Sequence, residues 1–207
     1  YKTKKHLRSS FRGKCATCDT SYNERTVDTQ YRDLLARIMK DGTKVMPIHG
    51  EESKMVFGHQ MRFDLNNGFP LLPDRDLSKL MKGALAEHMA FLHGARTQKE
   101  LEDWGCKWWD RWVTPEKCAI FGLPPGDLGP GSYGPAWAAF PTAEGVPFNQ
   151  IIEVLKQLKE RPHLRTHVIT PWIPQYAIQH ESLTRKVVVA PCHGYLHIIA
   201  FPTTKEY

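Results

Sequence analysis

Three groups of side chains in this sequence are of types that chemistry uses. The first is Ala190-Pro191-Cys192-His193, a thiol and an imidazole side by side just after the apolar run Val187-Val188-Val189. A cysteine in such a run is ordinarily a buried, inert thiol; it reacts only as a thiolate, which nearby positive charge favours. The second is Glu87, a carboxylate set among Leu85, Met89 and Phe91, an odd choice unless its charge is used. The third is the segment Trp104 to Trp112, which holds four of the six tryptophans. A cluster that dense either closes a core, the commoner outcome, or lines a pocket for a flat ligand. Cys15-Ala-Thr-Cys18 is the one close cysteine pair, and a zinc site there would need His6, Cys106 or Cys118 to complete it from a distance. Two reduced thiols and no metal are the simpler expectation.

The elements that must position these groups follow from periodicity. Residues 1–27 have little apolar pattern and read as a basic arm, with one folded domain over 28–207. Tyr31, Leu34, Leu35, Ile38 and Met39 recur at helical spacing before Asp41-Gly42. Met55 to Leu65 alternates as a strand, and Asn66-Asn67-Gly68 supplies a turn. A long helix is predicted from Asp76 to His93, burying Leu80, Met81, Leu85, Met89 and Leu92. Thr97-Gln98-Lys99-Glu100 has the capping-box form and opens a short helix over 98–104. Phe121 to Tyr133, rich in glycine and proline, is a loop. Asn149 to Arg161 is an amphipathic helix through Ile151, Ile152, Leu155 and Leu158, ended by Pro162. His167 to Trp172 and Lys186 to Phe201 read as strands, the second long and buried.

Composition bounds the class. A chain of 207 residues with 41% hydrophobic side chains suits one soluble domain with a sizeable core, and no run approaches the ~20 apolar residues that cross a bilayer. Lys2, Lys4, Lys5, Arg8, Arg12 and Lys14 are accompanied by no acid within residues 1–14, while the remaining residues balance at 22 basic against 22 acidic. The net charge of +6 therefore belongs to the arm, which suits RNA, an acidic protein or an anionic surface as partner. A solvated tail or the remnant of an organelle-targeting sequence has the same composition. Five cysteines without a repeating spacing favour a reducing compartment, either cytoplasm or mitochondrial matrix.

Taken in order, several motifs resemble the thymidylate synthase family over about residues 30 to 201: Phe57-Gly58-His59-Gln60-Met61-Arg62-Phe63-Asp64-Leu65, Gly68-Phe69-Pro70-Leu71-Leu72, Phe91-Leu92-His93-Gly94, Trp109-Asp110-Arg111-Trp112, Asp127-Leu128-Gly129-Pro130, Tyr133-Gly134, Gln150-Ile151, Leu155-Lys156-Gln157-Leu158-Lys159 and Ala190-Pro191-Cys192-His193. The resemblance implies an α+β, three-layer fold with a mixed, twisted sheet and flanking helices, incomplete at its C-terminus. It implies Cys192 as the nucleophile that adds to C6 of a pyrimidine nucleotide, with 5,10-methylenetetrahydrofolate supplying the carbon. Glu87 matches the helix glutamate that organises proton transfer, Tyr133 the loop tyrosine, and His193 the histidine after the cysteine. Trp109 and Trp112 match the tryptophans beside the folate, and Arg165 one arginine of the phosphate grip.

Departures from the pattern concern binding. The loop arginine falls on Ile48, the neighbour of Arg165 is Thr166, the asparagine after the strand tryptophan is Ile173, the aspartate before Gln150 is Asn149, and a helix tryptophan is Ala90. With the chain ending at Tyr207, one of four phosphate arginines remains, an expected loss of roughly 5 kcal/mol or more. The leading expectation is therefore a diverged, catalytically impaired homologue without a cofactor. It would serve as a structural subunit of a larger mitochondrial or ribonucleoprotein assembly, with a protein partner covering the incomplete sheet. The alternative is an active methyl- or hydroxymethyltransferase on C5 of a pyrimidine nucleoside monophosphate, working through Cys192. A homodimer is compatible with both.

Overall fold

The computed structural model describes residues 28–47, 50–70, 76–179 and 184–201. The basic arm, Cys15, Cys18 and Ile48 lie outside them. The chain divides into two compact units, Tyr1–Ser78 and Lys79–Tyr207.

In the first unit, helix α1 (Gln30–Asp41) forms where the apolar spacing predicts it and ends at Gly42. It buries none of its residues, with Leu35 and Met39 exposed. The Gln30 side chain fastens its start, donating to the Arg62 carbonyl at 2.6 Å and accepting from the Arg62 amide at 2.8 Å. Strand β1 (Thr43–Val45) pairs antiparallel with β2 (Ser53–Met55), Lys44 opposite Lys54. The strand expected from Met55 to Leu65 does not form. Gly58 turns at φ +67°, Phe57 points into solvent, and Leu65–Asn67 is a 3-10 turn capped by Asp64.

The second unit holds the core, built from Phe91, Leu101, Cys106, Val113, Cys118, Leu128, Trp137, Val154, Ile169 and Val188 among others. Helix α2 spans Met81–Leu92, shorter than expected, and packs against α3 (Gln98–Trp104) and α5 (Tyr133–Ala138). Its buried face is also not the expected one. Ala90 and Phe91 are buried while Leu80, Leu85 and Met89 are exposed. The inward face instead follows Gly83, Glu87 and Ala90: Gly83 lets the Trp108 ring approach closely, and Glu87 receives its indole N–H. The capping box forms: Thr97 Oγ1 accepts from the Glu100 amide, and Glu100 Oε2 accepts from the Thr97 amide at 2.8 Å.

Helix α4 (Pro115–Ile120) is capped by Thr114 and followed by the irregular stretch 121–132, which is more buried than its loop composition suggests. Leu128 is 1% exposed, and Asp127 takes a bidentate bond from Arg96 at 2.7 Å to each oxygen. Helix α6 (Gln150–Glu160) is capped by the Asn149 side chain on the Ile152 amide. It buries Gln150 and Val154, leaving Ile152 and Leu155 outside. Strand β3 (Val168–Ile169) pairs antiparallel with β4 (Leu196–His197), and the short α7 (Pro174–Ala177) lies between them in sequence.

The long buried strand over 186–201 is thus reduced to two residues. Its first part joins the 128–131 stretch through the Val188 amide to the Leu128 carbonyl and the Gly131 amide to the Lys186 carbonyl. Pro191 then offers no amide, and the following segment is held by side chains instead. Helices with two small antiparallel ladders are compatible with the α+β expectation. The mixed sheet does not form among the described residues.

Candidate functional site

Every described candidate side chain belongs to the second unit. Cys192 carries a free, exposed thiol, not a buried one, because its segment leaves the expected strand at Pro191. The segment is pinned from outside. Tyr133, the first residue of α5, accepts at its hydroxyl from the Cys192 amide at 2.6 Å and the His193 amide at 3.1 Å. From the other side, Thr170 Oγ1 donates to the Gly194 carbonyl at 2.8 Å. The tyrosine ring is set by Phe91 (5.2 Å between centroids), Trp137 (5.5 Å) and His193 (5.3 Å). Burial raises the Tyr133 phenol above its ordinary pKa, although the two amides aimed at its oxygen pull the other way. The neutral phenol is the form that accepts these amides and retains its own proton.

Phe91 links this cluster to the carboxylate. Trp109 meets Phe91 edge-on at 6.0 Å and donates its indole N–H to Glu87 Oε1 at 2.5 Å. Trp108 donates to the same oxygen at 2.6 Å, and Cys106 Sγ lies 4.0 Å from it. Burial pushes the Cys106 thiol up to about 11, with the Glu87 charge acting in the same direction and the Trp108 amide against it. Of the two expectations for the tryptophan cluster, core packing holds for Trp108 and Trp109, which in addition bond the Glu87 carboxylate.

Cys192, His193, Tyr133, Trp109 and Glu87 are joined through one run of contacts; Trp112 is tied to it by its amide, which donates to the Trp109 carbonyl at 2.9 Å, and Arg165 stands apart. Trp112 is half-buried beneath two cations, Arg111 at 5.6 Å and Lys117 at 5.0 Å. Arg165 is exposed, and among the described residues only its carbonyl is engaged, with His197 Nε2 at 2.9 Å. Thr166 is held by Gln157 at 2.9 Å. Ile173 and Ala90, the apolar residues at two departures, are core residues at 2% and 0% exposure.

Two residues gained a role that sequence reading did not give them. Gln150, buried in α6, donates to the Ala136 and Thr170 carbonyls and accepts from the Thr170 amide, fixing α5 and β3 relative to α6. Gly83 lies beneath the Trp108 ring. Beside that ring opens a cleft of about 730 Å³, lined by Lys79, Lys82, Lys107 and Arg111 against the single carboxylate Asp110. Among the described residues no group of three or more His, Cys, Asp or Glu is arranged to hold a metal ion, and no helix is long and apolar enough to cross a membrane. A family model described as thymidylate synthase matches residues 29–205.

Proposed function

Since the chain belongs to the thymidylate synthase family, matched over residues 29–205, we propose that it transfers a one-carbon unit to C5 of a pyrimidine nucleoside monophosphate, with Cys192 as nucleophile. The observation that carries this reading is the double hydrogen bond from the Cys192 and His193 amides to Tyr133, which fixes the backbone that presents an exposed thiol. A structural relic has no need of a tethered segment that presents its sulfur to solvent.

In this reading the Cys192 sulfur adds to C6 of the ring, and the electron pair of the C5–C6 double bond makes C5 nucleophilic. Once C5 has gained its carbon it gives up its proton, the Cys192 sulfur leaves C6 as a thiolate and the C5–C6 double bond is restored. The carbon is released from the folate nitrogen and completed to a methyl group by a hydride from the folate, or to a hydroxymethyl group by water. Glu87, fixed through one oxygen, handles protons on the ring side. Tyr133 and His193 orient the thiol segment, and Arg165 is the exposed cation for the phosphate. 5,10-Methylenetetrahydrofolate would supply the one-carbon unit. The residues present fit it: half-buried Trp109 and Trp112 offer flat apolar surface, and the four cations of the cleft beside Trp108 suit its glutamate carboxylates.

The test is release of tritium from C5 of a labelled pyrimidine nucleoside monophosphate, with and without 5,10-methylenetetrahydrofolate. Release that disappears in Cys192→Ser supports the reading. No release at millimolar nucleotide, with the chain folded, overturns it.

A second reading is a diverged structural subunit, and one observation favours it. Where the family pairs two arginines, Arg165 stands alone and Thr166 is bonded to Gln157. Each charge-assisted bond withdrawn from a phosphate weakens its grip by roughly 1.5 to 3 kcal/mol. In this reading Leu196, Ile199 and Phe201, all exposed, meet a protein partner, and no cofactor is used. It expects no saturable binding of nucleoside monophosphate below millimolar and stable co-purification with a larger assembly.

A further inference from the structure

We propose that Trp108 is a positioning residue for Glu87 and that Gly83 is the notch that admits it. The inference rests on the enzymatic reading above, in which Glu87 moves protons beside a pyrimidine. Trp108 and Trp109 are adjacent in sequence, yet both turn their indole N–H toward one atom, Glu87 Oε1, at 2.6 and 2.5 Å. Cys106 approaches the same oxygen at 4.0 Å, and Oε2 receives no hydrogen bond among the described residues. All the donors thus fall on one side of the carboxylate.

Adjacent indoles converge on one point only if each ring is separately held. Trp109 has Phe91 at its edge. Trp108 has Gly83, one turn before Glu87 on α2: a Cβ placed there would come within 2.5 Å of Trp108 Cζ3 and 2.8 Å of Cη2. Those atoms belong to a rigid ring whose other end is tied to Glu87, so the ring could not yield without breaking its bond. Glycine weakens a helix interior, and nothing in the backbone of α2 requires it at this position, where φ is not positive. The close ring is the reason for it.

The consequence is a carboxylate that cannot rotate to exchange its two oxygens. Charge-assisted bonds in a half-buried setting are strong, and two of them on Oε1 leave Oε2 as the oxygen open to a ring or a water. A proton-transfer group gains from being held this way, since misplacement by about 1 Å can cost as much as 100-fold in rate. Trp108 touches none of the reacting atoms in this scheme; it acts through Glu87.

The experiment is a double-mutant cycle in the whole chain, comparing Gly83→Ala, Trp108→Ala and the pair, with Trp108→Phe as a variant that keeps a ring and loses the N–H. For C5 tritium release, Trp108→Phe is expected to lower kcat about tenfold while KM for the nucleotide stays within a factor of about two. Gly83→Ala should do the same although it removes no donor, and should have no further effect once Trp108 is alanine. A second measurement needs no turnover: the indole proton resonances. Glu87→Gln should move those of Trp108 and Trp109, and Gly83→Ala should move that of Trp108. Additive losses in the cycle, a KM effect with unchanged kcat in Trp108→Phe, or a Trp108 resonance indifferent to Glu87→Gln would each overturn the proposal. If the native chain releases no tritium, the functional reading fails, and the resonances alone decide whether Trp108 and Gly83 position Glu87.

Discussion

Cys192 and Cys106 lie in one unit, yet their surroundings give them opposite chemistry. Cys106 is 1% exposed and burial pushes its thiol up to about 11, whereas Cys192 is exposed on a segment tied to Tyr133. Limited alkylation near pH 8 should therefore modify Cys192 while Cys106 and Cys118 wait for unfolding, as read by peptide mass spectrometry. Labelling of Cys106 at the rate of Cys192 would show that the core around Glu87 is open. Removing the hydroxyl in Tyr133→Phe leaves two exposed amides to water, an expected loss of about 1 kcal/mol, with faster amide hydrogen exchange at Cys192 and His193. The residues that the structure joins from Cys192 to Glu87 stand out in the sequence because they lie in short motifs. Their exposure is not legible there, since the apolar run ahead of Cys192 says nothing of where the chain leaves the core.

At the scale of elements, the helix signals and the capping box were read correctly, whereas the strands expected over 55–65 and 186–201 and the buried helix faces were not. The capping box at Thr97 and Glu100 involves four residues of one chain segment, so it appears as expected. The buried faces of α2 and α6 depend on what approaches them. On α2 the approach of Trp108 demands the small residue Gly83, which turns Leu85 and Met89 outward. Strand 186–201 failed for a similar reason: the 128–131 stretch and Tyr133 take hydrogen bonds that a regular ladder would have used. The capping box yields its own prediction. Glu100 is held below the ordinary carboxylate range, chiefly by the Arg96 amide and then by the Thr97 amide. A carboxyl more acidic folded than unfolded adds stability above its unfolded range, and that stability is lost as pH falls through its folded value. Thr97→Ala should cost about 1 kcal/mol at neutral pH, measured by denaturant unfolding. In Glu100→Gln the fall in stability on acidification should be shallower than in the native chain. An equally steep fall would assign the acid sensitivity to other carboxyls.

For the whole molecule the uneven distribution of charge is the property to test. The formal net charge of +6 equals the six Lys and Arg of residues 1–14, and the rest of the sequence is balanced. The candidate site, from Glu87 to His193, lies wholly in the unit Lys79–Tyr207. We propose that a polyanion such as RNA is bound by the six basic residues of 1–14 rather than by the charge-balanced remainder of the sequence. Binding to a polyanion through Lys2, Lys4, Lys5, Arg8, Arg12 and Lys14 should be strongly salt-dependent. If all six meet phosphates of a single strand, the slope of log K against log salt is about −4. Changing the six to glutamine should bring that slope close to zero and leave C5 tritium release as it was. A slope that persists in the six-fold variant would move the polyanion to the cleft of Lys79, Lys82, Lys107 and Arg111, and there it should compete with folate. Loss of tritium release in the same variant would tie the arm to catalysis, against the separation of charge and site argued from the sequence.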